Sequence, residues 1–332
     1  MRAAVLSEFG LPARIGILEA AVPEPSVGDV AVQVEYTALS FPDLMVIEGT
    51  YQSLPELPFV PGTEFVGVVV SVGEGASRFD IGTRVAGRLT SGAFQEVLVI
   101  HEDRIAAVPD GVDPRDAVSM PISALTAHHA LHHRAHVTSD DVVLITGANG
   151  IVGTAAVQIA ADLGCRVIAS VRRPEAVHDA VGKFADHVVS ADPDELRTVV
   201  RELTGGKGVD VVIEAVGSPV FDAALRSLAW QGRLVVVGFA GGSIPSPKAG
   251  LLLVKNVSVS GIQITDYWAR RTEQARTGLV ALFDAAARGR MAMWPADVFA
   301  ADQVAEAIDA VRERRAHRAV LDWTRTDGRR AR

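Results

Sequence analysis

A single cysteine, Cys165, occurs in 332 residues. An internal disulfide is therefore excluded, and so is a zinc site built from several thiolates. Lysine is almost as scarce, with 4 Lys against 28 Arg, a bias that a GC-rich genome imposes. Aromatic side chains make up 5% of the chain, so its cores must be built from aliphatic residues. Positive charge is not in surplus either: the net charge is -8, and a nucleic-acid partner is not expected. The N-terminus reaches Glu8 before an apolar stretch can form, so no secretory leader is expected there. One charge-free run of membrane length exists, Val142 to Ala161. Gly147, Asn149, Gly150, Gly153 and Gln158 interrupt it and divide it into a strand, a turn and a helix. The expectation is a cytoplasmic protein without a membrane partner.

What is present is apolar material: 48% hydrophobic against 22% charged residues, enough for roughly two domains. The first part reads as β. Short runs such as Val30–Val34 and Phe65–Val72 alternate with turn signals, among them Pro23-Glu24-Pro25, Gly73-Glu74-Gly75 and Pro109-Asp110-Gly111. The rhythm changes near Pro114, where a helical stretch runs to His136. Continuous apolar strands then alternate with helices, at 142–146, 166–170, 187–189, 209–213, 233–237 and 257–261. Strands that are apolar on both faces imply a parallel sheet covered by helices, the doubly wound α/β class. A long helix over about 272–288, a short strand at 298–299, a helix over 301–314 and a strand at 319–322 complete the pattern. The arginine-rich residues 325–332 have no apolar partner and read as a disordered tail.

The segment from Leu144 to Ala160 carries the most chemistry. A buried strand ends in the turn Gly147-Ala148-Asn149-Gly150 and opens a helix at Ile151 and Val152. Backbone N–H groups at a helix start lack intrahelical acceptors and carry partial positive charge, so they can hold a pyrophosphate. Gly150 lets the backbone approach that group and Gly153 lets the helix pack on the sheet; Ala148 stands where such turns usually have their first glycine. An NAD site wants an acid about 20 residues on. Here the segment ends Ser170-Val171-Arg172-Arg173. It has no acid, one hydroxyl and two guanidinium groups, which suit a 2′-phosphate. NADPH is the expected cofactor.

Blocks along nearly the whole chain resemble the medium-chain dehydrogenase/reductase superfamily, in its zinc-free NADPH:quinone oxidoreductase (zeta-crystallin-like) branch. They are Ser40–Met45, Gly49-Thr50-Tyr51, Leu57–Glu64, Phe79–Val85, Gly92–Glu96, Leu125-Thr126-Ala127, the glycine turn, Gly206–Asp210, Gly232–Gly238 and Leu251–Asn256. The resemblance implies a doubly wound Rossmann domain (119–262) inserted in a β-rich, GroES-like catalytic domain supplied by 1–118 and 263–324, with the active site in the cleft. It implies a homodimer paired through 257–262. It also implies that Thr126, Val216, Gly238, Phe239 and Arg318 join the turn residues in holding the cofactor, and that Tyr51 and Ser40 serve catalysis. Zinc-dependent relatives need thiolate and imidazole ligands; Ser40 and Thr63 stand at those positions, so no metal is expected.

The chain departs from the branch at four positions. Ser40 replaces Asn, Ile151 replaces Gly, Ala176 stands for a phosphate-binding Lys and Ser190 for a Tyr. Asp43 and Glu64 match family positions that are either functional or structural. His128, His129, His132, His133 and His136 form a run whose i, i+4 pairs fall on different helix faces without a carboxylate, which reads as a solvated face. Cys165 reads as core. The expected reaction is hydride transfer from NADPH to a quinone or an α,β-unsaturated carbonyl. Two alternatives stay open: an enoyl-thioester reductase of the same superfamily, and an NADPH-binding sensor or interaction protein with little turnover.

Overall fold

A computed structural model describes residues 1–325; the expected disordered tail falls, but for Arg325, outside the described residues. The chain divides into two units. The first comprises 1–122, 267–287 and 294 onward; the second comprises 123–266 and 288–293.

In chain order the first unit begins with β1 (Arg2–Glu8), β2 (Arg14–Glu19), β3 (Asp29–Leu39), β4 (Glu64–Val72), β5 (Arg84–Arg88), β6 (Val97–His101) and β7 (Ile105–Ala107). The second unit holds β8 (Val142–Thr146), β9 (Arg166–Val171), β10 (His187–Ser190), β11 (Val209–Glu214), β12 (Leu228–Val236) and β13 (Ser258–Gly261). The chain returns to the first unit with β14 (Asp297–Ala300) and β15 (Ala319–Asp322).

The first unit is a seven-stranded sheet in the order β14-β15-β3-β4-β5-β7, with β6 also paired to β3, beside the β1-β2 ribbon. Antiparallel pairing dominates. Phe65, Phe94, Leu98, Ile105 and Ile47 fill the interior. In the second unit six parallel strands run β10-β9-β8-β11-β12-β13. Counted within the unit this is the order 3-2-1-4-5-6 of a doubly wound dinucleotide fold, with its switch point between β8 and β11. Leu144, Ile168, Val212 and Leu234 are enclosed there, as their unbroken apolar runs require. No helix among the described residues is long and apolar enough to cross a membrane.

Three local differences from the sequence reading have physical causes. The single helix expected before β8 is broken into Pro114–Ala117, a π-helical turn at Met120–Ala124, an α-helical turn at Leu125–His129 and a second π-helical turn at Ala130–Arg134. Strand β12 starts five residues early because Leu228 pairs with Val209 ahead of an irregular step at Gln231, φ 63. Arg288–Met293 groups with the second unit, where Gln158 exchanges two hydrogen bonds with Ala292 (both 2.9 Å) and Arg290 pairs with Asp162 at 2.6 Å.

Candidate functional site

Strand β8 delivers the chain into the glycine turn at the carboxyl edge of the parallel sheet. Gly147 takes a positive φ of 61, Gly150 caps the helix Ile151–Asp162 with extended geometry, and the Gly150 N–H donates to Gly147 O at 2.8 Å. No side chain caps this helix and its first turn holds no acid, so the positive end is left for an anion. Gly153 is dictated by packing: a Cβ there would lie 2.3 Å from Gly147 O and 2.7 Å from Ala148 Cα. The buried Thr154 hydroxyl donates to Ala148 O at 3.1 Å and fixes the turn from below. Asn149 is tied sideways. Its amide donates to Ala176 O and its side-chain oxygen accepts from His178 N–H, both at 3.0 Å. That links the turn to the loop that follows Arg172 and Arg173.

The other expected cofactor residues of this unit come to the same edge. Ser170 is the penultimate residue of β9, and its buried Oγ has no hydrogen-bond partner. Arg172 and Arg173 follow it, exposed. Val216 follows β11, and Gly238 and Phe239 follow β12. These two loops are zipped together by bonds from Ala240 N to Ala215 O (3.0 Å) and from Gly241 N to Val216 O (2.7 Å). Beneath them Glu214 is fully buried and accepts from Thr146 Oγ1, Val216 N and Gly217 N at 3.2, 2.8 and 2.9 Å. Burial holds its carboxyl above the usual range. Thr126 lies buried in the turn Leu125–His129, which packs against the cradle helix. The orphaned hydroxyl, the open helix end and the two guanidinium groups form a donor set that suits a phosphorylated dinucleotide.

Arg318 is the remaining residue expected at the cofactor. It lies in the first unit, almost completely buried, and its guanidinium donates to Arg115 O (2.6 Å), Ser119 Oγ (3.2 Å) and Asp116 Oδ1 (2.9 Å). These bonds clamp the start of β15 to the helical turn Pro114–Ala117 and the residues after it.

A second polar group lies in the first unit. Ser40 caps the helix Phe41–Glu48 in a capping box: its Oγ donates to Asp43 Oδ2 at 2.5 Å and its N–H to the same oxygen at 2.8 Å. Thr63 donates to Asp43 Oδ1 at 3.1 Å, and Glu64 accepts the Ile122 N–H at 2.8 Å. Both acids are buried. Desolvation pushes Asp43 up to about 6 and Glu64 up to about 8, with their hydrogen bonds opposing it. Arg88 is also buried, and its charge acts on Asp43, Glu64 and Tyr51. At the far end of the capped helix, Thr50 N–H and Tyr51 N–H both donate to Met45 O, at 2.9 and 3.1 Å. The half-buried Tyr51 is thus held to the helix end whose start Ser40 and Asp43 fix. Arg88 was missed in the sequence; the only signal was an arginine at an inward position of an apolar strand.

The histidine run differs most from its expectation. His129 is fully buried and His128, His132 and His133 are partly buried, so this is not a solvated face. Burial and the neighbouring imidazoles depress His128 to about 3 and His129 to about 4.

Residues 152–284 match the family described as zinc-binding dehydrogenase, and residues 26–110 match the alcohol dehydrogenase GroES-like domain. A rat quinone oxidoreductase-like protein 2 is 38% identical over 82% of this chain and 77% of its own length. The human quinone oxidoreductase is 30% identical over 80% of each chain. Among solved structures, a mycobacterial quinone oxidoreductase superposes with a TM-score of 0.88 at 30% identity, covering 97% of this chain and 99% of the other. The Escherichia coli quinone oxidoreductase complexed with NADPH gives 0.86 at 25% identity, covering 97% and 100%. The metal in the first family's name finds no matching donor set at Ser40 and Thr63, since both hydroxyls are committed to Asp43.

Proposed function

Because the chain belongs to the medium-chain dehydrogenase/reductase superfamily, with quinone oxidoreductase-like proteins among its relatives, we propose that it is a zinc-independent reductase using NADPH to reduce a quinone or an α,β-unsaturated carbonyl. One observation carries this reading. The uncapped glycine turn stands at the switch point of the parallel sheet, and the next strand ends in two arginines where an NAD site would have an acid. The backbone N–H groups of Asn149, Ile151 and Val152 would hold the pyrophosphate, those of Ala148 and Gly150 being bonded to Ser170 O and Gly147 O. Ser170, Arg172 and Arg173 would hold the 2′-phosphate end, and Thr126, Val216, Gly238 and Phe239 the nicotinamide side. NADPH, when bound, supplies the hydride; the protein supplies position and dryness.

Negative charge then gathers on the substrate's carbonyl oxygen and needs a donor. Tyr51 is the residue we assign, because the Ser40 hydroxyl is already given to Asp43. Ser40, Asp43 and Thr63 are positioning residues: they fix the helix whose end holds Tyr51. A second copy would pair along β13, an edge strand beside the exposed Trp230, Leu253 and Val254.

The committed Ser40 hydroxyl also favours a second reading, a dinucleotide sensor with little turnover. Stopped-flow NADPH oxidation against a panel of quinones and enones separates the two. Turnover with at least one compound supports the reductase. Tight NADPH binding with no turnover supports the sensor, and absence of NADPH binding defeats both.

A further inference from the structure

Histidines 128, 129, 132 and 133 form two adjacent pairs, and their rings cluster. In an α-helix successive residues are turned about 100° apart, which separates the pairs. Here Ala130–Arg134 is a π-helical turn, in which bonding runs i→i+5. Residues four apart are neighbours on a helix surface, and the ring of His132 lies 4.3 Å from that of His128, the ring of His133 4.7 Å from that of His129.

We propose that His128, His129 and His133 form a binding site for a first-row divalent cation of the imidazole-preferring kind, such as Zn2+. Bonds of about 2.0–2.1 Å to zinc at tetrahedral angles set ligand nitrogens about 3.3–3.4 Å apart. His128 Nδ1 and His129 Nδ1 lie 3.4 Å apart, and a metal at the latter displaces the hydrogen bond that His129 makes to the Leu125 backbone. One ligand nitrogen from each of the three residues falls within 4.8 Å of the other two. Rotation of the His133 ring about its broad χ2 torsion closes the remaining gap. The ring of His132, tilted by 42° to that of His128, is the next imidazole beside the trio.

The donor set chooses the metal. Among the described residues no carboxylate or thiol joins the group. Magnesium and calcium, which want oxygen, are disfavoured, while zinc, copper and nickel suit imidazole. The ligands span an α-helical turn and the π-helical turn after it, so a bound ion would lock the register between the two. This site is independent of the reductase reading: it uses none of the residues assigned to cofactor or substrate.

The test uses the full-length protein, stripped of metal by chelator dialysis. Zn2+ affinity is measured by competition with a chromophoric chelator, and Co2+ serves as a spectroscopic probe. One Zn2+ per chain is expected, together with an intense visible Co2+ band of tetrahedral type. His128→Gln and His133→Gln should each weaken Zn2+ by at least about tenfold. His136→Gln, which removes an exposed imidazole outside the trio, should leave it unchanged. Circular dichroism of the metal-free variants checks folding. If one variant fails to fold, the other decides, and His129→Gln is left out because that ring is fully buried. Binding of less than one ion per chain, wild-type affinity in the folded variants, or an equal loss in His136→Gln overturns the proposal.

Discussion

The substitution Gly153→Ala probes the dinucleotide turn most sharply. Its added Cβ would sit 2.3 Å from Gly147 O and 2.7 Å from Ala148 Cα, against ordinary contacts that begin at 3.4 Å. Both neighbours are backbone, so no side chain can swing aside; the helix and the turn must separate by about 1 Å. Overpacking of this kind costs roughly 1–3 kcal/mol, offset by about 1 kcal/mol of helix propensity gained over glycine. Net destabilisation is therefore modest. The larger effect is on binding, because the same 1 Å moves the N–H donors of residues 151 and 152 off a bound pyrophosphate. Losing two charge-assisted bonds at roughly 1.5–3 kcal/mol each weakens NADPH by at least about a hundredfold. Gly150→Ala is the contrast. Its Cβ meets only Gly147 O, at 3.2 Å, so the fold should keep its Tm while the methyl group obstructs the phosphate's approach. Fluorescence titration with NADPH and thermal melts on both variants form the assay. NADPH affinity within threefold of wild type in Gly153→Ala would show that this turn is not the phosphate cradle.

Four further outcomes are expected. Arg172→Ala with Arg173→Ala should weaken NADPH by a few kcal/mol at most and leave NADH nearly unchanged; equal weakening of both, by calorimetry, removes the 2′-phosphate assignment. Tyr51→Phe should lower kcat by roughly tenfold to a thousandfold with NADPH affinity unchanged, and enone reduction should suffer more than quinone reduction; unchanged kcat for both substrates returns Tyr51 to a packing role. Glu64 is raised to about 8 when folded, so the stability it contributes is full at low pH and lost as pH rises toward that value; the Tm of Glu64→Gln relative to wild type should therefore climb between pH 5 and 8.5, and a constant difference refutes the assignment. Prolonged chelation should leave the NADPH oxidation rate intact while lowering Tm if the histidine site had been loaded, and a rate abolished by chelator and restored by Zn2+ would overturn zinc independence.

The parallel sheet was legible because its burial is two-sided. Val142–Thr146 and Val209–Ile213 are apolar at every position but one, and only a strand covered on both faces reads that way. The cradle was equally legible, since Gly153 answers a local demand: its backbone neighbours lie six residues away or fewer. Arg318 shows the limit. Its guanidinium pairs with Asp116, about 200 positions away in sequence, and no local pattern encodes a partner at that separation. Arg88 has the same character, since its significance depends on Asp43 and Glu64 being brought to it by other elements.

The histidines were misread for a different reason, one of period. An α-helical spacing was laid over residues 114–136, and under that spacing the pairs 128/132 and 129/133 diverge. Two π-helical turns interrupt the stretch. The first contains Pro121, which cannot donate to a helical bond; the second has no proline or glycine to announce it. In that second turn tertiary packing sets the period, because Ala130 and Leu131 are fully buried there. The ring of His129 is buried in the α-helical turn just before it, and the π-helical turn itself carries the half-buried His132 and His133. Substitutions that disturb this register, rather than the imidazoles themselves, should therefore uncouple the cluster. Ala130→Gly would favour unwinding by about 1 kcal/mol, and it should weaken Zn2+ binding although every ligand is retained. Wild-type Zn2+ affinity in Ala130→Gly, with its helical circular dichroism reduced, would show that the π-helical turn is not what assembles the histidines.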